Sequence, residues 1–165
     1  MRGFTLIEFI VIIGIISLLS GLMLANYRGG QESLAARRSA QNIAQAIRTA
    51  QNLALAGDCS SARCRFGAHF DTSVATFIVF EDGRINMNGQ YDAGEAIESI
   101  ALEDNIIIIG LSSSYVCGLA RCADVLFAPP DPALSFMPAS ATSLLISITG
   151  GRSITIEGVG SVDIN

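Results

Sequence analysis

Apolar residues along this chain fall into three textures, and each predicts a different element. From Phe4 to Ala25 the sequence reads FTLIEFIVIIGIISLLSGLMLA, an apolar run whose one charge is Glu8. As a helix rising about 1.5 Å per residue, such a run is ~33 Å long, enough to cross the hydrocarbon core of a bilayer. Between Leu34 and Ala56 the run gives way to a period. Ala40, Ile43, Ala44, Ile47, Ala50 and Ala54 recur at helical spacing, with Arg37, Gln41, Gln45, Arg48 and Asn52 off that face. Gly57-Asp58 ends the pattern as a helix stop does. The spacing predicts one helix over 4–56, apolar all round in its first half (4–25) and amphipathic in its second (26–56). Gly29-Gly30 at the junction is a candidate hinge, and because no proline precedes Pro129, a kink there falls to glycine.

After Gly57 the texture turns to short runs rich in Ile, Val, Phe and Thr. Strands are predicted at 66–70, 75–80, 97–102, 105–109, 125–127, 144–148, 153–157 and 161–164, separated by turn residues. Ile106 to Ile109 is continuously apolar and reads as a strand buried on both faces. Pro129, Pro130, Pro132 and Pro138 mark an irregular excursion. One long helix followed only by strands is an α+β pattern, with an antiparallel sheet laid across the helix and a β-rich head over 57–165.

Composition narrows the classes. A chain of 165 residues holds one domain, or one domain and an appendage. Half of it is apolar and 15% is charged, against about 25% in an average domain, which excludes a disordered chain. The net charge of −5 and pI near 4.7 weigh against nucleic acid as a partner. From Asn26 onward there are nine arginines and fourteen acids, so the acidic balance belongs to the part beyond the apolar run. Four cysteines form two C-x4-C pairs, Cys59/Cys64 and Cys117/Cys122. Behind a membrane-targeting N-terminus an even count points to disulfides in an oxidising compartment, whereas zinc pairs are usually spaced C-x2-C. Two local loops are one of three pairings open to four cysteines.

The N-terminus departs from an ordinary secretory signal, which has a shorter apolar stretch and no acid within it. A lone carboxylate in hydrocarbon costs about 2–3 kcal/mol on insertion scales, so Glu8 is a functional candidate; the plainer reading is that it reaches the headgroups from near the helix end. Gly3-Phe4-Thr5-Leu6-Ile7-Glu8, followed by an unbroken apolar helix, resembles the class III signal of type IV pilins and pseudopilins. The resemblance implies cleavage between Gly3 and Phe4 by a prepilin peptidase on the cytoplasmic face, and methylation of the new N-terminus at Phe4. It further implies that Glu8 pairs with the terminal amine of a neighbouring subunit during assembly. The partners it implies are the peptidase, other pilin or pseudopilin subunits, membrane lipid and an ATP-driven inner-membrane assembly platform. The chain would be single-pass in the cytoplasmic membrane with its head outside, then part of an envelope or extracellular filament. A count of positive residues alone places the N-terminus outside, since Arg2 precedes the run and Arg28, Arg37 and Arg38 follow it; the processing motif overrules that count. More weakly, the amphipathic half and the two β-runs after Gly150-Gly151-Arg152 are similar to H-type minor pseudopilins and the related minor pilins. The rival class is a secreted or membrane-anchored ligand-binding domain with a conventional signal cut near Ala25.

Chemistry outside the anchor is sparse. An EF-hand loop carries ligands at positions one, three, five, nine and twelve, glycine at six and a backbone carbonyl at seven. Asn86, Asn88, Gly89, Gln90, Asp92 and Glu95 take positions three, five, six, seven, nine and twelve, but Arg84 stands at the first. Asp82 is near enough to replace it if the chain bends. Two readings stand: a calcium loop, or a polar turn between strands. His69 is the one histidine, and without G-x-S-x-G, a phosphate-binding glycine loop or any lysine the chain shows no catalytic constellation and reads as a non-enzyme. Arg63, Arg65 and Arg121 flank the cysteine loops and form a basic patch if those loops meet, or plain surface charge if they do not.

Overall fold

A computed structural model describes residues 5–57, 59, 64–129, 133–158 and 160–165, with the backbone alone for 24–29. Gly3, Phe4 and Arg63 therefore lie outside the described residues. Helix α1 runs Leu6–Ala56 and stays helical through Gly29-Gly30. The chain divides into two compact units, residues 1–34 and 35–165.

In the first unit the helix stands alone. Leu6–Met23 has a mean hydropathy of 2.5, is long and apolar enough to cross a membrane, and has no buried residue.

In the second unit, the predicted apolar face is the buried one. Ala40, Ile43, Ala44, Ile47, Ala50 and Ala54 are each at most 3% exposed, and Ala36, Ser39 and Ala46 join them. Arg37, Gln41, Gln45, Arg48 and Asn52 are exposed. Alanine at so many contact positions lets a sheet approach the helix backbone closely, since side-chain size sets the distance between packed elements.

Among the described residues ten strands follow: β1 Arg65–Asp71, β2 Thr76–Asp82, β3 Ala96–Ala101, β4 Ile108–Leu111, β5 Tyr115–Cys117, β6 Ala120–Ala128, β7 Ala133–Met137, β8 Ser143–Ile148, β9 Arg152–Glu157 and β10 Val162–Ile164. All pair antiparallel, in two sheets. The first has the order β3-β2-β1-β6-β5, with β7 also on β6; the second has β10-β9-β8-β4. Strand β6 organises the first sheet. One edge pairs β1 from Cys122 to Phe127, and the other is shared, β5 taking Ala120–Cys122 and β7 taking Asp124–Ala128.

Alternation along each strand sends Phe66, Ala68 and Phe70 of β1, Phe77 and Val79 of β2, and Ala123, Val125 and Phe127 of β6 into one core with the helix. Ile108 of β4, Leu144, Ile146 and Ile148 of β8, and Ile154 and Ile156 of β9 close the same core from the second sheet. Truncating one of the buried phenylalanines to alanine in such a core costs about 3–5 kcal/mol.

Two sequence expectations need correction here. The apolar run 106–109 is not buried on both faces: Ile106 and Ile108 are 1% exposed, whereas Ile107 and Ile109 are 47% and 60% exposed. Its strand starts only at Ile108 and pairs with β8 alone, so one face and one edge stay open. The proline-rich excursion also contains a strand, β7, which is tolerated because it lies at the sheet's margin and its prolines fall outside the paired residues. Short β5 was likewise missed, since three residues of a stapled hairpin carry too little pattern.

Candidate functional site

Thr5 sits at the N-cap position of α1, with the Phe9 amide donating to its carbonyl at 3.3 Å, and Glu8 falls in the first helical turn. Thr5-x-x-Glu8 has capping-box spacing. Yet among the described residues the Glu8 carboxylate has no hydrogen-bond or ion-pair partner, and it is exposed.

The second region lies on the face of the first sheet turned away from the helix. Here alternation presents Arg65, Gly67, His69 and Asp71 of β1, Phe80 and Asp82 of β2, and Asp124 and Leu126 of β6. The segment 83–95 between β2 and β3 folds back over this face. Gly67 lies at a crowded point of the sheet itself: a Cβ there would stand 2.6 Å from the Val125 carbonyl oxygen and 2.9 Å from the Phe80 ring. Tyr91 lies over His69 and Phe80, with ring centroids 4.9 and 5.6 Å away.

Three buried acids hold the arrangement. The Asp124 carboxylate, fully buried, takes His69 Nδ1 at 2.6 Å on one oxygen and the Tyr115 hydroxyl at 2.5 Å on the other. Burial, together with the acceptor carboxylate beside it, pushes the Tyr115 phenol well above its ordinary range, so it stays a donor. Asp82 pairs with Arg65 at 2.5 Å and accepts the Gly89 amide at 3.4 Å. Desolvation nevertheless raises its pKa, outweighing the opposing pull of Arg65.

Glu95 is also fully buried. Its Oε1 accepts the amides of Gly83, Ile85 and Asn86 at 3.4, 3.2 and 3.5 Å, and its Oε2 accepts that of Asp92 at 3.1 Å. Asp92 in turn receives the side-chain amides of Asn86 and Asn88, both at 2.8 Å, and the Gln90 amide donates to Asn88 at 2.8 Å. The structure therefore brings Asn86, Asn88 and Asp92 together at the surface, while the glutamate at position twelve points inward to close the turn. Arg84, at position one, lies 3.7 Å from Glu81.

The disulfides are Cys59–Cys64 and Cys117–Cys122, two local loops. Cys64 immediately precedes β1 and Cys122 faces Asp71 at its other end. The strand between them spans roughly 20 Å. This separates Arg65 from Arg121, so the two do not form one basic patch: Arg65 engages Asp82, and Arg121 donates to Ser114 at 3.4 Å.

His69 lies within reach of Asp71 and the Cys122 sulfur, but that sulfur is held in the disulfide. Among the described residues no hydroxyl or thiol is hydrogen-bonded to His69. A cleft of about 310 Å³ beside β7 is lined by Leu134, Phe136, Ala141 and Thr142 among others, with no titratable side chain among its described lining residues.

No protein-family model matches the chain, and no curated protein does. Among solved structures it is similar to the minor pseudopilin EpsH from the type 2 secretion system of Vibrio cholerae. The likeness has 9% identity and a TM-score of 0.41, and covers 79% of this chain and 95% of that one. The α+β architecture stands on the element order and pairing described above.

Proposed function

We propose that this chain is a structural subunit, a minor pilin or pseudopilin, of a type IV pilus or type II secretion pseudopilus. The observation that carries the reading is the bare apolar helix Leu6–Met23 with Glu8 in its first turn, unpaired among the described residues, directly behind the Gly3-Phe4 processing motif. A helix apolar on every side is covered either by lipid or by other helices. The same surface serves both stages: it anchors the subunit in the cytoplasmic membrane and then packs against like helices in a filament core. Glu8 sets the register. In a low-dielectric bundle a carboxylate is tolerable when it meets a cation, and a neighbour's N-methyl-Phe4 amine supplies one. The folded head, stapled by two disulfides, suits the oxidising side of the membrane.

N-terminal mass spectrometry of the mature protein tests the proposal. A chain beginning at N-methyl-Phe4 is expected. One beginning at Asn26 replaces the proposal with a conventionally secreted domain.

A further inference from the structure

Cys122 sits at a corner of the first sheet that holds metal-ligand chemistry as well as a disulfide. It is the cross-strand partner of Asp71, and two residues along the same pair of strands His69 faces Asp124. Alternation puts all four on the sheet face opposite the helix. A ring nitrogen of His69, a carboxylate oxygen of Asp71 and Cys122 Sγ lie within 4.8 Å of one another. Ligand atoms around a tetrahedral zinc are about 3.3–3.8 Å apart, so these three need close by at most ~1.5 Å.

Each donor is prepared by its surroundings. Asp124 holds His69 Nδ1 at 2.6 Å, and among the described residues Nε2 has no hydrogen-bond partner. A carboxylate behind one imidazole nitrogen fixes the tautomer that presents the other to a metal. Asp71 takes the Ser73 amide and hydroxyl on Oδ1, at 2.7 and 2.8 Å, while Oδ2 accepts no hydrogen bond among the described residues. Neither Asp71 nor Asp124 is paired with an arginine there. The fourth donor is Cys117, tied to Cys122 by the disulfide itself. Sulfur, imidazole and carboxylate together suit a borderline divalent cation such as zinc, whereas calcium and magnesium want oxygen alone.

We propose that His69, Asp71, Cys117 and Cys122 form a zinc site in the reduced chain, and that the Cys117–Cys122 disulfide closes it. A dithiol reductant opens the bond. Its thiolate attacks Cys117 Sγ, the half-buried sulfur of the pair, and the buried Cys122 leaves. The reductant's second thiol then displaces Cys117. Two electrons and two protons have passed, the reductant ends as a disulfide and the chain as a dithiol. Zinc replaces the two thiol protons and supplies the positive charge that two thiolates beside two carboxylates lack. The site belongs to the folded head and does not depend on the filament reading.

The full chain in detergent micelles, reduced with dithiothreitol and desalted under argon, tests this with cobalt(II) as the probe. One equivalent of cobalt is expected to give thiolate charge-transfer absorption and the visible bands of a tetrahedral ion. Zinc displaces both, and the oxidised chain gives neither. Asp71→Asn and His69→Gln are each expected to weaken cobalt binding about tenfold or more. Asp71 is partly exposed and its asparagine still accepts from Ser73, so if His69→Gln fails to fold, Asp71→Asn decides. Four results overturn the proposal. They are a reduced chain without thiolate-to-cobalt absorption, an oxidised chain that binds cobalt equally well, and a head that loses its thermal transition on reduction. The fourth is Asp71→Asn binding with wild-type affinity, which would place the metal on Cys59 and Cys64 instead.

Discussion

His69 and Asp124 are direct cross-strand partners on β1 and β6, and their side chains meet at 2.6 Å on the sheet face opposite the helix. Tyr115 completes the set from β5, so both oxygens of a fully buried carboxylate hold a donor. Removing the Tyr115 hydroxyl leaves one oxygen dry and unpaired. Tyr115→Phe is therefore expected to lower stability by about 1–3 kcal/mol. Denaturant titration of the full chain in detergent measures it; an unchanged midpoint would show that water replaces the hydroxyl.

Asp82 gives the head an acid-side signature. Its folded pKa is raised above the ordinary 3.8 because burial disfavours the charged form more than Arg65 restores it. A raised carboxylate contributes stability that is fully present below the unfolded value and is lost as pH rises through the folded value. Relative to Asp82→Asn, which does not titrate, the wild type should thus gain stability as pH falls from neutral to below 3.8. Melting temperatures of the two proteins across that window check the sign. A difference that shrinks on acidification would mean the Arg65 pair dominates.

The segment 83–95 yields a prediction that separates its two readings. With both oxygens of Glu95 accepting backbone amides, the turn closes on the glutamate itself. Glu95→Ala leaves four buried or half-buried amides without their acceptor and is expected to destabilise the head by about 2–4 kcal/mol. Calcium at millimolar concentration is expected to leave the wild-type melting temperature unchanged. A calcium-dependent rise lost in Asp92→Ala would establish the metal loop instead.

Which parts of this architecture were legible in the sequence follows from the range of the interactions involved. The buried face of α1 was readable from Ala40 to Ala54, because period alone decides it. Strands β1, β2, β8 and β9 declared themselves by composition and turn residues. The run 106–109 misled because a continuous apolar stretch looks the same whether one face is covered or two; only the pairing of β4 with β8 decides that Ile107 and Ile109 stay exposed. The Tyr115–Asp124–His69 set was invisible for a related reason. Its members are up to 55 residues apart, and registers fixed by β6 bring them together. Glu95 stood out in the sequence as the twelfth position of a calcium-type loop, but that its carboxylate accepts backbone amides depends on which way the turn folds, and spacing along the chain does not encode that.

Glu8 carries the sharpest expectation, because two effects of one substitution run in opposite directions. Replacing it with alanine removes a charge whose insertion into hydrocarbon costs about 2–3 kcal/mol, so Glu8→Ala should sit in the membrane at least as well as wild type. Under the proposed assembly the same change leaves the neighbour's terminal ammonium buried without its anion, which is strongly destabilising. Membrane fractionation is therefore expected to show full retention of the variant, while the amount in sheared filaments falls about tenfold or more. The melting temperature of the head should not move, since Glu8 lies in the other compact unit and its carboxylate has no hydrogen-bond or ion-pair partner among the described residues. Normal incorporation of Glu8→Ala would reduce the acid to a helix-terminal charge that suits the N-terminal dipole and does nothing for register.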